Sequence, residues 1–189
     1  MSIVLDGTSG LTTNSGTLIS ASTIGVGGAT PSTSGSGITF PADQTILGAS
    51  TNANTLDDYE EGTWTPVIGG TTSESGQTYG GQTANYTKVG RLVTLNFRVV
   101  LSAKGTITGN VCIKGFPFTV QNSLDFGAGV TSFANMGANF TYLYFSAISN
   151  NTSAFVQGTK TAVATSVDLL TADIANNTQF NGSITYFAN

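Results

Sequence analysis

Residues 91–101, RLVTLNFRVVL, alternate apolar and polar side chains with a period of two, and this alternation constrains the fold more than any other feature of the chain. Successive side chains of a strand point to opposite faces. Val93, Leu95, Phe97, Val99 and Leu101 therefore share one face, and Thr94, Asn96 and Arg98 take the other. A strand with one apolar and one polar face belongs in an antiparallel sheet packed on a core. Further candidate strands are VCIKGFPF (111–118), FGAGVTSFANM (126–136), NFTYLYFSAI (139–148), TSAFVQG (152–158) and FNGSITYFAN (180–189). Clusters of Gly, Asn, Ser and Asp between them supply turn chemistry. The spacing predicts an all-β domain, an antiparallel β-sandwich of jelly-roll-like form. VDLLTADIAN (167–176) is the one segment with a helical reading, of one or two turns, and its Asp and Asn residues leave a structured loop as the alternative.

The first part of the chain has another texture. Residues 1–55 hold one aromatic, Phe40, and no Lys or Arg, the first basic residue being Lys88. Leu5, Leu11, Leu18 and Ile24 recur at steps of six, seven and six, which fits neither a heptad nor a strand alternation. This predicts short extended pieces joined by turns, in a segment too poor in apolar residues to bury a core alone. GVGGATPSTSGSG (25–37) reads on composition as a flexible linker, unless partner chains supply the missing contacts. Three copies wound about one axis would bury the sparse aliphatics together. The expected organisation is an extended arm over 1–55, serving attachment and trimerisation, and a sandwich head over 56–189.

Composition removes several classes of function. Charged residues make up 8% of the chain, against roughly 25% in ordinary soluble domains, and the net charge is -4. No Lys/Arg stripe exists to neutralise phosphates or to hold an anionic membrane, and no apolar run approaches the roughly 20 residues a membrane helix needs, so neither nucleic acid nor membrane insertion is expected. MSIVLDGTSG lacks the charged and apolar regions of a secretory leader, which predicts folding in the cytosol. Cys112 is the only cysteine, which excludes an intrachain disulfide and predicts a buried thiol acting as a small hydrophobe. The absence of histidine removes Ser-His-Asp and Cys-His catalysis and the commonest zinc ligand. GVGG and GSG lack the P-loop lysine. Sequons at Asn85, Asn139, Asn151, Asn176 and Asn181 are the chance product of an Asn-, Ser- and Thr-rich chain.

Two constellations carry chemistry. LDDYEEGTWTP (56–66) packs Asp57, Asp58, Glu60 and Glu61 ahead of Trp64, the only tryptophan. Calcium could use these oxygens, but the spacing is not that of an EF-hand loop. A carboxylate pair could cleave a glycoside if set several ångströms apart in a groove. The favoured reading is a solvated boundary turn, with acids that protect the next strand edge, Gly62 to turn, and Trp64 to anchor the core. Tyr142 and Tyr144 share a parity opposite to Leu143 and Phe145. They could face outward and stack on sugar rings, although burial of both faces, within the sandwich or against a neighbouring subunit, is the favoured expectation.

Three blocks, LDDYEEGTWTPVIGG, YTKVGRLVTLNFRVVL and GNVCIKGFPF, resemble a module found near the C-termini of tail fibres and other virion appendage proteins of tailed bacteriophages. The matching positions are Asp57 to Trp64 with Pro66, then Tyr86, Lys88 and Gly90, then Gly115, Pro117 and Phe118. SIVLDGTSG and ITFPADQ resemble segments that precede the module in such proteins. The resemblance is strongest over 56–118. It implies a virion structural protein made in the host cytoplasm, commonly a homotrimer, and assigns no catalytic, cofactor-binding or metal-binding residue. The expectation is a short trimeric tail fibre, not an enzyme, whose arm meets other virion proteins and whose head meets a host surface polysaccharide or protein. A capsid decoration (cement) or head-fibre protein is the alternative.

Overall fold

The computed structural model of the protein describes residues 59–122, 127–161 and 165–189, together with two short strands nearer the N-terminus. The chain forms two compact units, Met1–Leu47 and Gly48–Asn189. In the first unit, Thr23–Gly25 (β1) and Gly37–Thr39 (β2) pair in parallel, Ile24 opposite Ile38. The stretch predicted as a linker thus has flanks that are strands and pair with one another. The rest of the predicted arm, and its boundary at residue 55, lie outside the described residues.

The second unit is all-β. Its first sheet runs in the order β3 (Tyr59–Thr63), β6 (Thr78–Val89), β7 (Leu92–Ala103), β14 (Ile174–Phe187) and β10 (Gly127–Met136). The path continues through β10 into β11 (Phe140–Ala147), β12 (Ser153–Lys160), β9 (Val111–Lys114) and β4 (Val67–Gly70), with β13 (Ser166–Asp168) also on β12. All pairings in both sheets are antiparallel. β10 serves both sheets: Gly127–Gly129 pair with β11, and the residues from Val130 onward pair with β14 across two register shifts. A separate ribbon joins β5 (Ser73–Ser75) to β8 (Thr106–Thr108).

The two inner faces meet as a sandwich. Phe97 of β7 lies 5.2 Å from Phe145 of β11, ring centre to ring centre, and Phe145 lies 6.4 Å from Phe180 of β14. Val93, Leu95, Phe97, Val99 and Leu101 are all buried, and Asn96 and Arg98 of the opposite face are exposed. The alternation in 91–101 therefore translates directly into a core-facing strand.

Three expectations need correction. The predicted helix at 167–176 is instead β13, a single 3-10 turn at Thr171–Asp173 and the start of β14. Asp173 caps that turn by accepting from the Leu170 N–H at 3.0 Å, and pairing with β7 and β10 takes the chain onward as strand. The strand predicted over 111–118 stops at Lys114, because Gly115 has a φ of 92°, which ends the extended run. The segment before Trp64 is a strand and not a turn.

Candidate functional site

The acidic stretch and both other blocks of the resemblance meet in one place. β3 is the outermost strand of the first sheet and β4 the outermost strand of the second, so residues 64–66 carry the chain from one sheet to the other. Trp64 fills this corner. It is 9% exposed, its Nε1 donates to the Asn85 carbonyl at 3.2 Å, and its ring meets Phe97 at 5.5 Å and Phe116 at 5.6 Å edge-on. Such edge-to-face pairs are worth about 0.5–1.5 kcal/mol beyond the area they bury.

The first block is held against the second by Tyr86. Its hydroxyl donates to Glu60 Oε1 at 2.5 Å, and burial followed by this bond raises its pKa to about 12. Gly62 lies opposite Tyr86 in the β3–β6 register, and a Cβ there would come within 2.7 Å of the phenol. The glycine that was expected to turn the chain instead makes room for a ring on a straight strand. Glu60 is accordingly half-buried and engaged, whereas Glu61 is exposed and accepts from the Tyr59 hydroxyl at 2.5 Å. Asp57 and Asp58 lie outside the described residues.

Lys88 and Gly90 complete the second block. Lys88, directly opposite Glu60, is buried on the inner side with its Nζ 5.3 Å from the centre of the Phe118 ring. Tyr86 meets the same ring at 5.3 Å edge-on. Gly90, at φ 57°, takes the first loop position of the β6–β7 hairpin, the place a type II′ turn gives to glycine. In the third block, a Cβ on Gly115 would sit 2.5 Å from the Thr65 carbonyl oxygen. Gly115 therefore lets the crossing segment pass close by. Phe116 stacks on Tyr186 at 5.5 Å, and Tyr186 donates to the Phe118 carbonyl at 2.8 Å.

This corner is a clasp made of glycine clearances, ring contacts and hydrogen bonds, the Tyr86–Glu60 bond among them. Among the described residues, no group of three or more His, Cys, Asp or Glu side chains is placed to hold a metal ion. An open cleft of about 520 Å³ at the β10–β11 turn has Phe133, Met136, Asn139 and Phe140 among its lining residues and holds no titratable side chain. Cys112 is buried as expected, but its neighbours in register, Gly69 and Phe155, set it on the outer side of its sheet rather than in the core. Burial pushes its thiol pKa up to about 11. Beside it, Glu74 and Lys114 pair at 2.6 Å over Gly69.

The tyrosines correct another expectation. Burial within the sandwich is ruled out, since Tyr142 is 51% exposed and Tyr144 half-buried on the outer face of β11. Their rings lie 6.1 Å apart and 25° from parallel. The sequence reading also overlooked an exposed apolar row. Tyr59, Val89, Leu92 and Phe187 follow one another in register across β3, β6, β7 and β14, each between 38% and 41% exposed. Four strands contribute one residue each, so no local pattern announces it.

No protein-family model, no curated protein and no solved structure matches this chain. No helix among the described residues is long and apolar enough to cross a membrane.

Proposed function

We propose that this chain is a structural protein of a tailed-bacteriophage virion, a short trimeric tail fibre with a jelly-roll-like head that meets the host surface. The observation that carries the reading is the convergence of three separated blocks on one corner. The positions that resemble the appendage module are those the corner needs: Glu60, Gly62 and Trp64 with Tyr86, Lys88 and Gly90, and Gly115 with Phe118. Such a pattern marks a module by its architecture.

The apolar row at Tyr59, Val89, Leu92 and Phe187 supports self-association. A contiguous exposed apolar patch on a chain of low charge favours contact between copies. In a trimer the arm attaches to other virion proteins, and three weak contacts by the heads add through avidity on a repetitive surface. Imaging of particles carrying a tag at Asn189 tests the location. Density at the tail is the expected result. Regular density over the capsid would replace the reading with a decoration or head-fibre role, and unlabelled particles would overturn both.

A further inference from the structure

The outer face of β11, β12 and β13 carries a constellation that the corner does not explain. The register sets Tyr144, Gln157 and Asp168 in one row and Tyr142, Thr159 and Ser166 in the next, all on the same side. The Asp168 carboxylate is held at both oxygens, accepting from Gln157 Nε2 at 2.7 Å and from Asn110 Nδ2 at 2.6 Å. Ser166 Oγ donates to the Tyr144 hydroxyl at 2.9 Å, so the Tyr144 side chain reaches across β12 to the strand beyond it. Tyr142 lies beside it, nearly parallel and half in solvent.

From this geometry we propose that the face binds a neutral saccharide. A pyranose has apolar C–H faces and hydroxyl edges. The two rings offer the C–H faces a surface, and the adjacent polar row offers the hydroxyls a fixed partner. A carboxylate accepts hydrogen bonds from hydroxyls more strongly than a neutral acceptor does, and it retains lone pairs after two amide contacts. Each amide that donates to Asp168 turns its own oxygen elsewhere, where it can accept. Because Asp168, Gln157, Asn110, Tyr144 and Ser166 already hold one another, little ordering remains to oppose binding. Charge selects the class: the two rows and Asn110 carry one carboxylate and no Lys or Arg, which disfavours phosphorylated, sialylated or other anionic ligands.

This inference rests on the proposed function for where the sugar is met, namely on the host surface. Binding itself is a property of the purified chain. The experiment titrates the full-length protein with neutral oligosaccharides of glucose, galactose or mannose and with a sialylated one, read by saturation-transfer NMR and calorimetry. Saturable binding to a neutral member is expected, with weaker or no binding to the sialylated one. Tyr142→Ala should weaken that binding at least tenfold with unchanged thermal melting, while Tyr142→Phe should keep most of it. A purely structural role for the face would leave binding indifferent to Tyr142→Ala. That result, the absence of saturable binding to every neutral sugar, or a loss of self-association in Tyr142→Ala in its place would overturn the proposal. Particle imaging and sugar titration fail independently, so a miss in one is not a miss in the other.

Discussion

Tyr86 donates to Glu60 across the β3–β6 pair at 2.5 Å, while its phenol occupies the space that Gly62 leaves free. The hydrogen bond needs the neutral phenol, since the phenolate has no proton to donate. The Tyr86 pKa is raised from 10 to about 12, by burial first and by Glu60 second. A group with a raised folded pKa contributes fully below its unfolded value, and that contribution is lost as pH rises through the folded one. Urea denaturation should therefore show stability falling more steeply between pH 10 and 12 in the parent than in Tyr86→Phe. At neutral pH, Tyr86→Phe should be less stable by about 1.5–3 kcal/mol, the range for a hydrogen bond to a charged group.

Gly62→Ala should cost about 1–3 kcal/mol, because the added methyl meets a ring pinned by Glu60 and Phe118. In a Tyr86→Ala background the clash disappears. The penalty of Gly62→Ala should then shrink to a few tenths, and a double-mutant cycle measures the coupling. Equal penalties in the two backgrounds would refute the clearance argument.

Cys112 should be chemically silent in the folded chain. Its thiol is buried, with a pKa pushed to about 11 by desolvation, and only the thiolate reacts. Labelling by an aromatic disulfide at pH 8 should follow the unfolding rate and accelerate with denaturant. Rapid labelling without denaturant would show that the outer covering opens.

Leu92→Asp should weaken self-association in sedimentation experiments and leave the thermal stability of the dissociated chain within about 0.5 kcal/mol, since Leu92 is on the outer face opposite buried Val93. Leu95→Asp, by contrast, buries a carboxylate in the core and should prevent folding.

What was legible in the sequence was what one strand can say about itself. β7, β11, β12 and β14 each write their buried face into a period-two pattern, as in Val93 to Leu101. β6 was not among the predicted strands, since Thr78, Gly80, Gly81, Gln82 and Thr83 give its first half little apolar rhythm, and only Ala84, Tyr86 and Lys88 turn inward from its second. The corner was half legible: Trp64 was expected in the core, but the partner of Glu60 was not. Register between β3 and β6 decides that partner, and register is a relation between distant segments. The same holds for the Asp168 face, which needs Asn110, Gln157 and Tyr144 from three further stretches. Of the residues at 167–176, local composition allowed a helix, and pairing with neighbouring strands overrode it.

Tyr59 begins β3 and Phe187 ends β14, and the same cross-strand row contains both. Three strand spacings separate them, roughly 14 Å. The strand circuit therefore enters and leaves by one door. A bridge of about five residues would span that gap and close the circuit into a ring, in which any hairpin loop could become the new beginning. For the same reason the sandwich is suited to being spliced as a cassette into a loop of another protein, where it would interrupt its host's chain without prising the insertion point apart.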